Sequence, residues 1–161
     1  MNISELALSD QLVVAARTGI AALLGAVVGI ERWHSGKEAG MRTHALVAAA
    51  AALAVGLGEI VLGGADGDAV RTLHAVLTGI GFIGAGAILH SEGRTSGLTT
   101  AASVFNVAVI GAAVGLGAIV LGALGALASL AVLQVFGRAR SFMSRFSFFA
   151  PVSTGNDTDF D

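Results

Sequence analysis

The sequence contains no cysteine and no tyrosine, only one proline, and few charged residues, which make up 12% of its 161 positions. Without cysteine the chain can form neither disulfides nor thiolate metal sites. The near absence of proline and of any Gly-X-Y repeat excludes collagen, and the scarcity of charge excludes an intrinsically disordered chain. The net charge of −2 provides no basic surface, so we expect no nucleic-acid partner.

What the sequence has instead is an excess of small and apolar side chains. Hydrophobic residues make up 55% of the chain, with glycine at 23 positions and alanine at 31, and the mean hydropathy is +0.82. A soluble domain usually carries about 25% charged residues, which is roughly twice the share found here. The composition therefore predicts an integral membrane protein, with the lipid bilayer as its first partner.

Long apolar runs predict five transmembrane helices. A helix needs about 20 mostly apolar residues to cross the hydrocarbon core. Runs of this kind cover residues 12–30, 43–62, 73–89, 98–114 and 117–136. The last two belong to one uncharged stretch from Leu98 to Phe136, which is about two membranes long and has to bend, at Gly115-Leu116-Gly117. We therefore expect an all-α, polytopic membrane helix bundle.

Lysine and arginine set the expected orientation, because cytoplasmic loops are enriched in them. With the N-terminus outside, only Arg17 and Arg71 of the nine basic residues fall on the outer side. We therefore expect the N-terminus outside and the C-terminus in the cytoplasm. Residues 1–149 then form one transmembrane domain that ends in an amphipathic segment over 138–149. Residues 150–161 form an acidic tail that we expect to be disordered.

Glycines in the third span match a dinucleotide-binding fingerprint, Gly-x-Gly-x-x-Gly. We reject that match, because no strand precedes it and no acidic residue follows at the required distance. Gly79 and Gly86 fall on one side of the helix, and Gly81 and Gly84 fall almost opposite. Since small residues let transmembrane helices approach closely, we expect these four glycines to pack helices and the third span to be central.

Two further glycine pairs have the GxxxG spacing. They are Gly25 with Gly29 on the first span and Gly111 with Gly115 on the fourth. Each pair could form an internal helix contact or the face of a homodimer, and we favour the internal contact.

The polar residues do not indicate an enzyme. No Ser-His-Asp or paired-carboxylate arrangement is visible, and the histidines lack a metal-binding spacing, although a metal shared by three of them stays open. We assign no metal ligand and no cofactor, with magnesium as the one ion that could bind. Arg17 and Glu59 are the charged residues inside the predicted spans, and we expect Arg17 to reach the outer surface, where Asp10 or Asp68 could pair with it.

Four motifs occur in order along the chain. They are Gly29-Ile30-Glu31-Arg32, Lys37-x-Ala39-Gly40-Met41-Arg42-Thr43, Gly79-Ile80-Gly81-Phe82-Ile83-Gly84-Ala85-Gly86 and Gly97-Leu98-Thr99-Thr100-Ala101-Ala102. With these motifs the chain resembles the MgtC/SapB family of prokaryotic membrane proteins. The resemblance implies a five-span protein of the plasma (inner) membrane, associated with adaptation to low magnesium. Two features depart from the family pattern: we expect no soluble C-terminal domain, and Thr99 stands where several members have asparagine.

Polar residues gather where the first span ends and the second and fourth spans begin, at the expected cytoplasmic surface. The candidate site residues are Glu31, Arg32, Arg42, Thr43, Arg94, Thr99 and Thr100. Helix N-termini have unpaired N–H groups and a partial positive charge, so they favour anions. We expect a pocket for an anionic group or a partner's carboxylate, with a magnesium ion able to bridge Glu31 to that anion. The alternative is that these residues only cap helices, with Glu31 paired to Arg42.

The resulting hypothesis is a non-catalytic membrane protein that supports magnesium homeostasis by acting on another membrane protein. The alternative is a small magnesium or cation transporter. The sequence disfavours transport, because a hard cation prefers several oxygen ligands and the predicted spans contain no carboxylate near the midplane.

Overall fold

The computed structural model describes residues 7–61, 66–91 and 94–143. These residues form five helices and one small hairpin. The helices are α1 (Leu8–His34), α2 (Met41–Val61), α3 (Asp66–Gly86), α4 (Leu98–Gly115) and α5 (Ile119–Met143). Strands β1 (Leu89–Ser91) and β2 (Arg94–Ser96) pair antiparallel between α3 and α4.

Four of these helices are long and apolar enough to cross a membrane. They are α1, α2, α4 and the part of α5 from Ile119 to Gly137. The apolar part of α3, Val70–Gly86, is shorter. The prediction of an all-α protein with five apolar helices in this order is therefore confirmed for the described residues.

The long uncharged stretch bends where the sequence predicts. α4 ends at Gly115, α5 begins at Ile119, and Gly117 has a φ of +84°. Residues with a side chain rarely adopt this left-handed conformation, so glycine is the residue that permits the turn. The N–H of Leu116 donates to the carbonyl of Ala112 at 3.0 Å, which closes the last turn of α4.

Helix α4 contacts the other four helices, and α2 packs between α1 and α4. The glycines of both GxxxG pairs face the α2 backbone or the residue before it: Gly25, Gly29, Gly111 and Gly115. A Cβ atom added at Gly25 would lie 2.5 Å from the carbonyl oxygen of His44, and one added at Gly115 would lie 2.6 Å from that of Ala52. The internal-contact interpretation of these pairs is therefore confirmed.

The expected central position of the third helix is wrong. A Cβ atom added at Gly79, Gly81 or Gly86 would meet none of the described atoms within 4 Å, and one at Gly84 would meet only Ala101, at 3.8 Å. α3 lies at the edge of the bundle, against α2 and α4. Small residues permit a close neighbour but do not attract one, so the glycine pattern could not decide where α3 lies.

The hairpin before α4 was not predicted, and it depends on one glycine. Gly97 has a φ of +84°, and a Cβ atom there would collide with the carbonyl oxygen of Ala87. This close approach places the start of α4 directly beside the end of α3.

Helix α5 continues past the predicted fifth span to Met143, so the first residues of the predicted amphipathic segment, 138–143, are helical. The rest of the predicted amphipathic segment and the predicted disordered tail lie outside the described residues.

Candidate functional site

A group of buried polar side chains joins three helices where α1 ends and α2 and α4 begin. We call it the Arg32 cluster: Arg32, His44, Thr100 and Ser103. Arg32 is 4% exposed and His44 is fully buried. The Arg32 guanidinium donates through Nη2 to Thr100 Oγ1 at 3.3 Å, which ties the end of α1 to the start of α4.

His44 ties α2 to α4 within the same cluster. Its Nδ1 lies 2.9 Å from the carbonyl oxygen of Gly40, so Nδ1 carries a proton and donates it there. Its Nε2 lies 3.1 Å from Ser103 Oγ, and that hydroxyl lies 2.8 Å from the carbonyl oxygen of Thr100. When the ring is neutral, the single hydroxyl proton of Ser103 faces two acceptors, the ring nitrogen and the carbonyl.

Two buried atoms beside these bonds have no hydrogen-bond partner among the described residues. They are Nε of Arg32 and Oε2 of Glu31. A buried charged group without a full set of partners costs folding free energy, so such groups are rare outside functional sites. Arg32 is therefore the strongest candidate functional residue in the described structure.

The predicted site residues do not form one pocket. Arg32 and Thr100 are hydrogen-bonded, as a common site requires. Glu31 instead lines a cavity of about 510 Å³ between α1 and α5. Consecutive residues on a helix point about 100° apart, so Glu31 and Arg32 face different neighbours.

The remaining predicted residues are distributed around the same end of the bundle. Arg42 and Thr43 line a separate cavity of about 400 Å³ beside Trp33. Thr99 lines a third cavity, also of about 400 Å³, between α1, α4 and α5. Arg94 belongs to β2, and its side chain lies outside the described part of the structure.

The alternative pairing of Glu31 with Arg42 is not observed. Glu31 Oε1 accepts a hydrogen bond from Ser35 Oγ at 2.8 Å, and Arg42 is exposed. Glu31 therefore makes a local bond in the last turn of α1, and its second oxygen has no partner among the described residues.

The sequence did not predict two residues of the Arg32 cluster, His44 and Ser103. Their positions along the helices could have indicated them. His44 precedes the buried Ala48 and Ala51 at helical spacing, and Ser103 follows Thr100 by three residues on one face of α4. A polar residue in register with a small, apolar helix face is expected to be buried with it.

A second polar cluster lies at the opposite end of the same three helices. We call it the Arg17 cluster: Arg17, Glu59 and the carbonyl of Gly115. Arg17 Nη1 lies 3.0 Å from Glu59 Oε2 and donates to the Gly115 carbonyl at 2.9 Å. The observed ion-pair partner of Arg17 is thus Glu59 rather than the predicted Asp10, while the side chain of Asp68 lies outside the described part.

Comparison with known proteins decides the family. The model of the MgtC family matches residues 19–142 of this chain. The chain belongs to the MgtC family. Among its relatives, protein SrpB of Synechococcus elongatus is 39% identical over 150 residues, which cover 86% of this chain and 82% of the relative.

Two further family members are longer than this chain. The putative magnesium transporter YhiD of Escherichia coli K12 is 40% identical over 73% of this chain and 57% of the relative. Protein MgtC of Brucella abortus is 39% identical over 60% of this chain and 40% of the relative. The chain therefore spans only part of these two relatives. No solved structure matches it.

Family membership and the four long apolar helices make this chain a membrane protein. The residues matched by the family model contain the whole Arg32 cluster and Glu59, whereas Arg17 precedes them. None of the descriptions of the family or of these relatives names an enzyme.

Proposed function

We propose that this protein is a non-catalytic, multi-pass protein of the prokaryotic plasma membrane that supports adaptation to low magnesium by acting on another membrane protein. The names of its relatives support the magnesium context, because YhiD is described as a putative magnesium transporter. The observation that carries the proposed site is Arg32, which is 4% exposed and whose Nε has no hydrogen-bond partner among the described residues. An ionisable group held this way is costly, so a functional role is the default expectation.

In this proposal the Arg32 cluster lies at the cytoplasmic surface. The connection between α1 and α2 carries Lys37 and is preceded and followed by Arg32 and Arg42, a concentration of positive charge typical of cytoplasmic segments. α3 then also crosses the membrane despite its shorter apolar part, which brings the number of spans to five. The hairpin lies at the cytoplasmic side. The N-terminus lies outside and the C-terminus inside.

The packing between the two clusters favours a non-transport role over the alternative of a cation transporter. The layer that separates them is built from fully buried small residues, including Ala48, Ala52 and Ala108. A magnesium ion requires near-octahedral oxygen coordination and keeps several of its waters, so it needs a wide polar path. The apolar contacts among α1, α2 and α4 do not provide such a path.

The test replaces the buried arginine and compares it with an exposed one. In a bacterium lacking its own MgtC-family gene, we expect Arg32→Gln to abolish growth at low magnesium while the protein still accumulates in the membrane. Arg32→Lys should restore part of the growth, since it keeps the charge but loses the planar guanidinium. Arg42→Gln is the matched control, because Arg42 is exposed at the same end, and we expect it to support full growth.

Two results would contradict this proposal. Loss of growth in Arg42→Gln but not in Arg32→Gln would place the function on the exposed surface. Magnesium flux into proteoliposomes that contain only this protein, if abolished by Arg32→Gln, would establish the transporter instead. Membrane abundance, measured for every variant, separates loss of function from loss of the protein.

A further inference from the structure

The cavity between α1 and α5 changes from apolar to polar along the helix axes. Its apolar wall is formed by Val27 and Ile30 on α1 and by Leu130 and Leu133 on α5. The polar residues follow on both helices, one turn closer to the end where α1 stops. A cavity of about 510 Å³ with this gradient has an apolar half at the depth of the lipid chains and a polar half at the membrane surface.

The polar half of this cavity is rich in acceptors. Glu31 provides a carboxylate: its Oε1 accepts from Ser35 Oγ, and its Oε2 is buried and accepts no hydrogen bond from the described residues. His34 lies beside it, and its Nδ1 is 2.8 Å from the carbonyl oxygen of Ile30, so the neutral ring leaves Nε2 as an acceptor. α1 ends at His34, and the C-terminus of a helix carries a partial negative charge. The complementary group is therefore a cation that also donates hydrogen bonds.

We propose that this cavity binds a phospholipid whose headgroup carries a primary ammonium, of the phosphatidylethanolamine class. The ammonium pairs with the carboxylate of Glu31, and the start of an acyl chain lies along the apolar wall. A free metal ion would use the polar half alone, whereas an aminophospholipid matches both halves at once. A quaternary ammonium lacks the N–H donors, and a glycerol headgroup lacks the positive charge, so neither completes the bonds of Glu31.

The test measures lipids retained by the purified full-length protein in native mass spectrometry. The probes are dioleoyl phosphatidylethanolamine, phosphatidylcholine and phosphatidylglycerol, which share their chains and differ in headgroup. We expect phosphatidylethanolamine to bind about tenfold more tightly than the other two, as one charge-assisted hydrogen bond provides. In Glu31→Gln this preference should disappear. The control is Glu38→Gln, because Glu38 is an exposed carboxylate near the same end that does not line this cavity. In this control the preference for phosphatidylethanolamine should persist.

A second variant blocks the cavity without touching the carboxylate. Gly137 lines the cavity, and a Cβ atom added there would meet none of the described atoms within 4 Å, so Gly137→Leu can fold and fill the space. We expect it to lower phosphatidylethanolamine binding about tenfold. Gly19→Leu is the matched control. A Cβ atom added at Gly19 also meets none of the described atoms within 4 Å, but Gly19 lies about 12 Å before Val27 along α1, so we expect lipid binding to be unchanged.

Equal retention of the three lipids by the unmodified protein would overturn the proposal. So would a phosphatidylethanolamine preference that persists in both Glu31→Gln and Gly137→Leu. If Gly137→Leu retains lipid normally but loses a co-purifying membrane protein, the cavity holds a partner segment rather than a lipid.

Discussion

Replacing Gly25 by alanine tests whether glycine sets the distance between α1 and α2. A Cβ atom at this position would lie 2.5 Å from the carbonyl oxygen of His44 and 2.8 Å from Ala48 Cβ. The carbonyl belongs to the backbone of a helix, so it cannot turn away as the end of a flexible side chain can. The helices have to separate. Gly19, on the same helix, provides the control, because a Cβ atom added there would meet none of the described atoms within 4 Å.

The size of the effect follows from the contact distances. Bringing a contact of 2.5 Å to an ordinary 3.5 Å separates the helices by about 1 Å locally. A gap of that size loses a quarter to a half of the dispersion attraction of each affected atom pair, and overpacking typically costs about 1–3 kcal/mol. Alanine in a helix gains up to about 1 kcal/mol over glycine. We therefore expect Gly25→Ala to lower the free energy of unfolding by about 1–2 kcal/mol and Gly19→Ala to raise it by up to about 1 kcal/mol.

The assay is reversible unfolding in mixed micelles with increasing dodecyl sulfate, followed by helical circular dichroism and by the fluorescence of Trp33, the single tryptophan. Both variants are measured against the unmodified protein under identical conditions. If Gly25→Ala unfolds at the same detergent fraction as Gly19→Ala, close backbone contact does not determine the packing of α1 on α2.

The remaining predictions concern the Arg17 cluster and the orientation of the chain. Glu59→Gln should lower the free energy of unfolding by less than about 1 kcal/mol, because the ion pair is partly exposed. Arg17→Met should lower it by about 1–3 kcal/mol, because it also removes the donor to the Gly115 carbonyl. The same detergent unfolding assay measures both variants. A cysteine at Ser96 should be shielded from an impermeant thiol reagent in intact cells, while one at Gly67 should react, and the reverse pattern would contradict the proposed orientation.

The sequence predicted the helices well because the length of an apolar run is enough to identify a membrane span. The fourth span was expected at residues 98–114 and is observed as Leu98–Gly115, and the bend follows at Gly117. Such boundaries depend on local properties, namely hydropathy and the conformational freedom of glycine. These two local properties were enough to predict the order of the helices along the chain.

The arrangement of the helices and the candidate site could not be predicted in the same way. Hydropathy treats Arg32 as the residue that ends a span, yet α1 continues to His34 and buries Arg32 against α4. That burial depends on Thr100, which is 68 residues away in sequence. The peripheral position of α3 likewise depends on which surfaces meet, and its glycines contain no information about their neighbours.

The two polar clusters are the same distance apart on all three core helices. The separation is 15 residues in each case: Arg17 to Arg32 on α1, Glu59 to His44 on α2, and Gly115 to Thr100 on α4. At about 1.5 Å per residue this is roughly 22 Å, and the layer between is packed with small apolar side chains. Polar contacts therefore join the three helices at both ends. Among the described residues, no polar contact links the Arg17 cluster to the Arg32 cluster.

This separation predicts that the clusters contribute to stability independently. Ser103→Ala should cost about 1–3 kcal/mol, because it removes the partner of the fully buried His44 Nε2. Combined with Glu59→Gln, its effect on the free energy of unfolding should add to within about 0.5 kcal/mol, as for sites that share no partners. His44→Ala with Ser103→Ala provides the positive control, because those residues are in contact and should not be additive. A coupling free energy above about 1 kcal/mol between Glu59 and Ser103 would contradict this independence and show that a change at one end of the bundle affects the stability of the other end.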